Sequence, residues 1–260
     1  FLGSVMEKVG TEVFFGTLER GNPELFTRVL AHPEAARVLK GIGVQWAGKG
    51  ALTTLRTRYP ELEIWGSEQE CGLGTNDWHY ARYGWETIKR YFEAGATAWH
   101  YWNLAMPTGG LSGWGWPQNS LVEIDTGKRS YRLTNDYWLL RHISGAVRSG
   151  AKLVPVESFF GFDDQLAFRN PDGSLVLIAN NSVGVRQSVR YVVGNRLLEL
   201  RLAPDSLNTI TIPAGMLAIA SRTAASRSVP RPASPSVGVR SPPPCSERLS
   251  GRVDRANGIT

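Results

Sequence analysis

Two cysteines in 260 residues, Cys71 and Cys245, are too few for a disulfide framework, so the fold must rest on its core and the redox compartment stays open. No run of about 18 apolar residues exists, which excludes a membrane-spanning helix. The glycine-rich stretches CGLG and GGLSGWG match neither GxGxxG nor GxxxxGK, which argues against dinucleotide and phosphate-loop chemistry. Ser67 lacks a GxSxG setting, which disfavours a serine hydrolase. Histidine is scarce as well. His100 and His142 lie far apart and no His/Cys/Asp/Glu spacing resembles a metal site, so neither metal nor cofactor is expected.

Net charge of one sign is missing from most of the chain. The formal charge of +6 suggests a polyanion partner, yet seven Arg against two acids, Glu247 and Asp254, fall within residues 221–260 and leave the rest nearly neutral. That tail also holds six Pro and eight Ser with few large apolar residues, too little surface to offset chain entropy. It reads as a disordered, solvated extension, and nucleic acid is not an expected partner. The remainder is rich in apolar residues and carries the nine Trp, enough for a sizeable core. The sequence opens on Phe1 in mid-pattern, with FLGSVMEKVG reading as the end of a helix, so the lack of a signal peptide carries no information.

Residues 1–150 alternate strand and helix. EVFFGTL, Glu12 to Leu18, reads as a buried strand; Asn22 and Pro23 cap and open a helical stretch to Leu39. A strand at Gly41 to Trp46, a helix at Ala51 to Tyr59 and a strand at Leu62 to Gly66 follow. Asn76 or Asp77 caps the next helix, in which Trp78, Trp85, Ile88 and Phe92 line one face and Gly95 ends it. A fourth strand, Thr97 to Leu104, leads into the loop GGLSGWGWPQNS, and Thr134 caps a closing helix to Val147. Four strand-helix units in series predict parallel strands with helical crossovers, half of an eightfold barrel. Beyond Gly150 the apolar period becomes two. Leu166 and Phe168, the turn Asn170-Pro171-Asp172-Gly173, then Leu175 and Leu177 form a hairpin, and Leu198, Leu200, Leu202, Ile210 and Ile212 alternate again. The expected organisation is an α/β domain over 1–150, an antiparallel β domain over 151–220 and the tail over 221–260.

The stretch LEIWGSEQECGLGTN, Leu62 to Asn76, is the most telling one. An apolar strand that runs into Glu68 and Glu70 before a glycine-rich turn puts carboxylates at a strand exit, where α/β enzymes keep their chemistry. Two residues apart on extended backbone, the two glutamates share a face, about 7 Å from each other. Glycoside hydrolysis needs carboxylates that flank the sugar, about 5 to 5.5 Å apart for retention or 6.5 to 9.5 Å for inversion, so the second one is expected from another strand. Trp46, Trp65, Trp78, Trp102, Trp114 and Trp116 lie at or just past strand ends, where indole faces can stack on pyranose rings. Asn103 can reach a sugar hydroxyl or the catalytic carboxylate.

GTLERGNPELF, GIGVQWAGKGA, IWGSEQECGLGTNDW, AWHYWNLA and GWGWPQNSLVEID, in this order, resemble the second half of glycoside hydrolase family 30, the glucosylceramidases and β-1,6-glucanases. The resemblance covers about residues 1–220. It implies the second half of a (β/α)8 TIM barrel, strands five to eight, followed by an antiparallel β-sandwich, with a retaining two-carboxylate mechanism and no cofactor. It makes Glu68 the nucleophile and Glu70 a neighbour, and places Trp102 and Asn103 in the sugar pocket. The substrate implied is a β-glucoside, a glycolipid or a glucan, in an extracellular or lysosome-like compartment. The family's acid/base follows an Asn at the end of strand four, which would precede Phe1; Glu19 is the one spare carboxylate of comparable position. The chain is therefore expected to be truncated, its missing N-terminal half a partner, with a noncatalytic carbohydrate-binding fragment as the alternative.

Overall fold

A computed structural model describes residues 2–68, 70–159 and 161–217; the tail read as disordered lies outside the described residues. After a first helix, α1 (Leu2–Val9), strand β1 (Val13–Leu18) is followed by α2 (Glu24–Leu30) and α3 (Pro33–Val38), then β2 (Leu39–Gln45). The single helix expected up to Leu39 is thus two helices and the start of a strand. Proline lacks an amide proton and forces its predecessor out of helical conformation, and His32 is accordingly extended (ψ 117°) before Pro33 opens a new helix. A 3-10 turn (Trp46–Ala51) leads into α4 (Leu52–Arg58), then β3 (Glu63–Glu68), α5 (Trp78–Glu93) and the short β4 (Ala98–Trp99).

Strands β1-β2-β3-β4 form one parallel sheet in sequence order. The period of two sorts its faces. Ile42, Val44 and Ile64 pack with Phe26, Leu52, Leu55 and Tyr91 under the helices, while Phe14 and Trp65 stack on the other face, ring centres 4.1 Å apart. β4 is shorter than the expected Thr97 to Leu104. The chain is drawn off because Leu121 and Val122 donate to the carbonyls of Asn103 and Leu104, which starts a separate three-stranded sheet. That sheet, β5 (Ala105–Pro107), β6 (Val122–Asp125) and β7 (Ser130–Leu133), had no counterpart in the sequence reading.

Of the three helix starts read from capping residues, two hold; at α2 the cap position is Pro23 rather than Asn22, and Asn22 Oδ1 accepts from the Glu24 amide just inside the helix. Asp77 accepts from the amide of Tyr80 at α5, and Thr134 from that of Tyr137 at α6 (Asn135–Ser144). A four-stranded antiparallel sheet follows, ordered β13-β10-β9-β8: β8 (Lys152–Val154), β9 (Gln165–Arg169), β10 (Leu175–Asn181) and β13 (Ser206–Ile212). The hairpin β11 (Gln187–Val193) and β12 (Arg196–Leu202) covers its outer side through Tyr191, Leu198 and Leu200, and a last turn, α7 (Ala214–Leu217), follows β13. Trp85, Ile88, Leu139 and Ile143 of α5 and α6 pack on Phe168, Val176 and Ile178, and α5, which also sets Tyr91 against the parallel sheet, serves both four-stranded sheets. The described residues accordingly belong to one compact unit.

Candidate active site

Glu68 ends β3, and parallel strands bring their C-terminal ends to one rim of the sheet, where side chains from different strands meet. Gln45 of β2 is the register neighbour of Glu68 there. Trp46, the next residue, donates its indole N–H to Glu68 Oε1 at 2.7 Å. Its backbone is left-handed (φ 47°), a conformation that costs a non-glycine residue about 1–3 kcal/mol and persists only where surroundings enforce it. Lys49 Nζ supplies part of that enforcement by donating to the Trp46 carbonyl at 3.1 Å. Gly48 sits between them because a Cβ there would lie 2.0 Å from the carbonyl oxygen of Leu18.

Glu70, two residues on, is in a different state. Its Oε1 pairs with Lys49 and its Oε2 accepts from Tyr83 Oη at 2.6 Å, both partners largely shielded from solvent. Tyr80, one turn earlier on α5, donates its hydroxyl to the Glu70 carbonyl. Burial, reinforced by the bond to Glu70, raises the Tyr83 pKa, so the phenol keeps the proton it donates. Both carboxylate oxygens of Glu70 are occupied. Among the described residues Glu68 Oε2 has no hydrogen-bond partner, which leaves it open to react.

The loop after β4 builds a second group. The indoles of Trp102, Trp114 and Trp116 are stacked at 5.8 and 5.7 Å between ring centres, tilted by only 16° and 21°. Trp114 remains 65% exposed although it is the middle ring of the stack, so much of the stack's surface is open to solvent. Trp102 Nε1 and Asn103 Nδ2 both donate to Gln118 Oε1, at 3.2 and 3.0 Å, and these residues with Met106, Ser112, Gly113 and Trp114 line a cavity of about 260 Å³. A larger hollow of about 330 Å³ beside Arg148 lacks such chemistry, since Arg148 is already paired with Asp172 at 2.8 Å.

A buried polar cluster ties the two groups together. Asn119, fully buried, donates its amide to the Cys71 carbonyl, accepts from the Asn76 amide through Oδ1, and donates through Nδ2 to Asp136 Oδ2. Its carbonyl accepts from Asn103, and Tyr101 Oη also donates to Asp136 Oδ2 at 2.8 Å. Gly74 completes the seam: it is left-handed (φ 77°), and a Cβ would strike Pro117 and the Gly109 carbonyl. Burial raises the pKa of Asp136 against the lowering effect of the Tyr101 and Asn119 bonds.

Of the sequence-derived site residues, Trp46 meets Glu68, and Trp102, Asn103, Trp114 and Trp116 meet one another. Trp65 and Trp78 join neither group. Trp65 points its N–H back to Glu63 at the start of β3, with its ring between Phe14 and His100, because a residue three before Glu68 lies lower on the strand. Trp78, the first residue of α5, turns into the core shared with the antiparallel sheet. Glu19 is exposed and paired with Arg20. Lys49, Tyr83, Gln118 and Asn119 were missed. The one signal was the polar triplet Gln118-Asn119-Ser120 inside an aromatic, glycine-rich loop, and all three side chains are buried. Among the described residues no cluster of His, Cys, Asp or Glu is arranged to hold a metal, and no helix is long and apolar enough to cross a membrane.

No family model matches the chain. It is 28% identical over 173 residues to the lysosomal acid glucosylceramidase of Mus musculus, a match covering 59% of this chain and 33% of that protein. The solved structure of SrfJ from Salmonella typhimurium superposes with a TM-score of 0.73 at 19% identity, covering 82% of this chain and 50% of that one. An endo-β-1,6-glucanase superposes at 0.69 and 17% identity, covering 82% and 51%. Xylanases of glycoside hydrolase family 30 superpose as well. The chain has a family 30-like fold. It spans about a third of the curated relative and half of these solved structures, as a partial glycosidase fold does. On that fold, the glucosylceramidase, the glucanase and the xylanases are glycoside hydrolases.

Proposed function

We propose that this chain carries the nucleophile of a retaining β-glycosidase, Glu68, acting on a β-glucoside of the glycolipid or glucan type. In this reading β1 to β4 are strands five to eight of a (β/α)8 barrel, and β8 to β13 belong to an appended β-sandwich. The observation that carries it is the contrast between two neighbouring carboxylates: Glu70 has both oxygens engaged, whereas Glu68 keeps one free at the C-terminal rim of a parallel sheet. Glu68 Oε2 attacks the anomeric carbon, and the bond to the leaving oxygen breaks as a glycosyl ester forms. In the whole enzyme a second carboxylic acid gives its proton to that oxygen. As a carboxylate it then takes a proton from the water that cleaves the ester, restoring Glu68 with retained configuration. The Trp46 N–H offsets charge on the carboxylate when the ester is released. Trp102, Trp114 and Trp116 offer faces to sugar rings beside the polar edge of Asn103. The names of the mouse relative and of the glucanase support a glucoside as substrate.

The test uses a fluorinated β-glucoside with a dinitrophenyl leaving group, which departs without acid assistance. Peptide mass spectrometry of the treated chain is expected to find the adduct on Glu68, absent in Glu68→Gln and still on Glu68 in Glu70→Gln. An adduct on any other side chain overturns the assignment. A second reading, carbohydrate binding without hydrolysis, is favoured by the exposed tryptophan stack and corresponds to oligosaccharide affinity with no adduct.

A further inference from the structure

Glu70 takes no part in the reaction above, yet it is the most heavily tied carboxylate at the rim. We infer that Glu70 and Lys49 are positioning residues that hold Glu68 through Trp46; the role rests on the reading of Glu68 as nucleophile. The connection is continuous. Tyr83 and Tyr80, on one face of α5, fix the Glu70 side chain and carbonyl. Glu70 fixes the Lys49 ammonium, whose long stem would otherwise sample many rotamers. Lys49 Nζ binds the Trp46 carbonyl, and Trp46 Nε1 binds Glu68 Oε1.

The left-handed backbone of Trp46 makes this chain of contacts a device rather than a coincidence. Its carbonyl meets Lys49, and its indole meets Glu68, in a conformation that an L-residue leaves when unrestrained. Rotation of the Trp46 backbone to an ordinary region swings the carbonyl off Lys49 and the indole off Glu68 together. Lys49 and Glu70 therefore decide how often Oε1 is held and Oε2 presented. The same contacts account for a second glutamate two residues after the first: it anchors the arm that holds its neighbour.

Two readouts on the full chain test this. The first needs no activity: the indole N–H resonance of Trp46, assigned by its loss in Trp46→Phe, is expected to lie at the position of a hydrogen-bonded indole and to move toward that of a free one in Glu68→Gln. Lys49→Met and Glu70→Gln are expected to move it the same way, and Lys49→Arg to restore part of the shift. The second is the rate of trapping by the fluorinated dinitrophenyl glucoside. In Lys49→Met the limiting rate constant is expected to fall about 10- to 100-fold with little change in half-saturating concentration, because the nucleophile is misplaced and the sugar pocket is not. In a Trp46→Phe background the same substitution is expected to add little. An unmoved indole resonance in both Lys49→Met and Glu70→Gln overturns the inference, as does a full further loss in the Trp46→Phe background. Glu70→Gln, which keeps the side chain's shape, carries the test should Lys49→Met fail to fold. A resonance that moves as expected while the adduct sits elsewhere than Glu68 upholds the positioning and discards the nucleophile.

Discussion

The two four-stranded sheets of this molecule reverse the usual habits of their kinds. Parallel sheets are ordinarily covered on both faces and antiparallel ones on a single face. Here every residue of antiparallel β10 is buried, with Val176 and Ile178 under α5 and α6 and Leu177 under the β11-β12 hairpin. The parallel sheet is covered by helices on one side, while its other side carries Phe14, Trp65 and an exposed His100. The sheet that bears the candidate chemistry is thus not the better buried one. Its rim is held by directed bonds from Lys49, Tyr83, Gln118 and Asn119, a division in which the antiparallel layer supplies stability and the parallel layer supplies geometry.

Truncating each sheet is the strongest way to break that comparison. Ile178→Ala, at a site with no exposed surface, is expected to cost about 3 kcal/mol in urea unfolding, and Trp65→Ala less than half as much despite the larger side chain removed. Equal costs would show that the half-open face of the parallel sheet is core. The next effect in size concerns the rim. Asn119→Ala leaves the Asn76 amide and the Asp136 carboxylate short of partners they cannot replace with water, a loss of about 2 kcal/mol. Amide exchange is expected to accelerate over residues 71–77 and 101–121 while β9 and β10 stay protected. Uniform acceleration would mean that rim and core are one cooperative unit. A smaller stability change is expected from Trp114→Ala, whose ring is mostly exposed; its effect should appear in oligosaccharide affinity, and unchanged affinity would reduce the tryptophan stack to loop packing.

What the sequence disclosed follows from the range of each interaction. Local signals held. The caps Asp77 and Thr134 bond three residues ahead, Gly95 ends α5 in a left-handed conformation, and the apolar alternation of β9, β10, β12 and β13 is that of the sheets they form. The β3 exit at Glu68 was legible for the same reason, as an apolar run broken by polar residues. The Trp46 to Glu68 bond spans 22 positions and the Lys49 to Glu70 pair 21, and neither leaves a periodic trace. Trp65 and Trp78 show the converse error: nearness to a strand end in sequence says nothing of which face or which height on the strand a ring occupies. The sheet β5-β6-β7 escaped notice because two of its strands flank a loop made mostly of glycine, tryptophan and polar residues.

The seam between the two layers offers the mildest test, through pH. His142 of α6 faces Thr209 of β13, with Nδ1 and Oγ1 2.9 Å apart. The hydroxyl has one proton and gives it to the His142 carbonyl, so Nδ1 must carry a proton and donate to Oγ1. Burial at this seam lowers the His142 pKa below its ordinary value by disfavouring the imidazolium. The unfolded chain then binds more protons than the folded one as pH falls below about 6.5, and stability must fall with it, the full contribution being present only above that pH. Comparing urea midpoints at about pH 7.5 and about pH 5.5 in the native chain and in His142→Gln separates this histidine from the other groups that titrate there. The native chain is expected to lose more between the two than His142→Gln does. Equal losses would mean that the imidazole is as free in the folded protein as in the unfolded chain, and that the helices and the antiparallel sheet meet less closely at this point than their shared apolar cluster indicates.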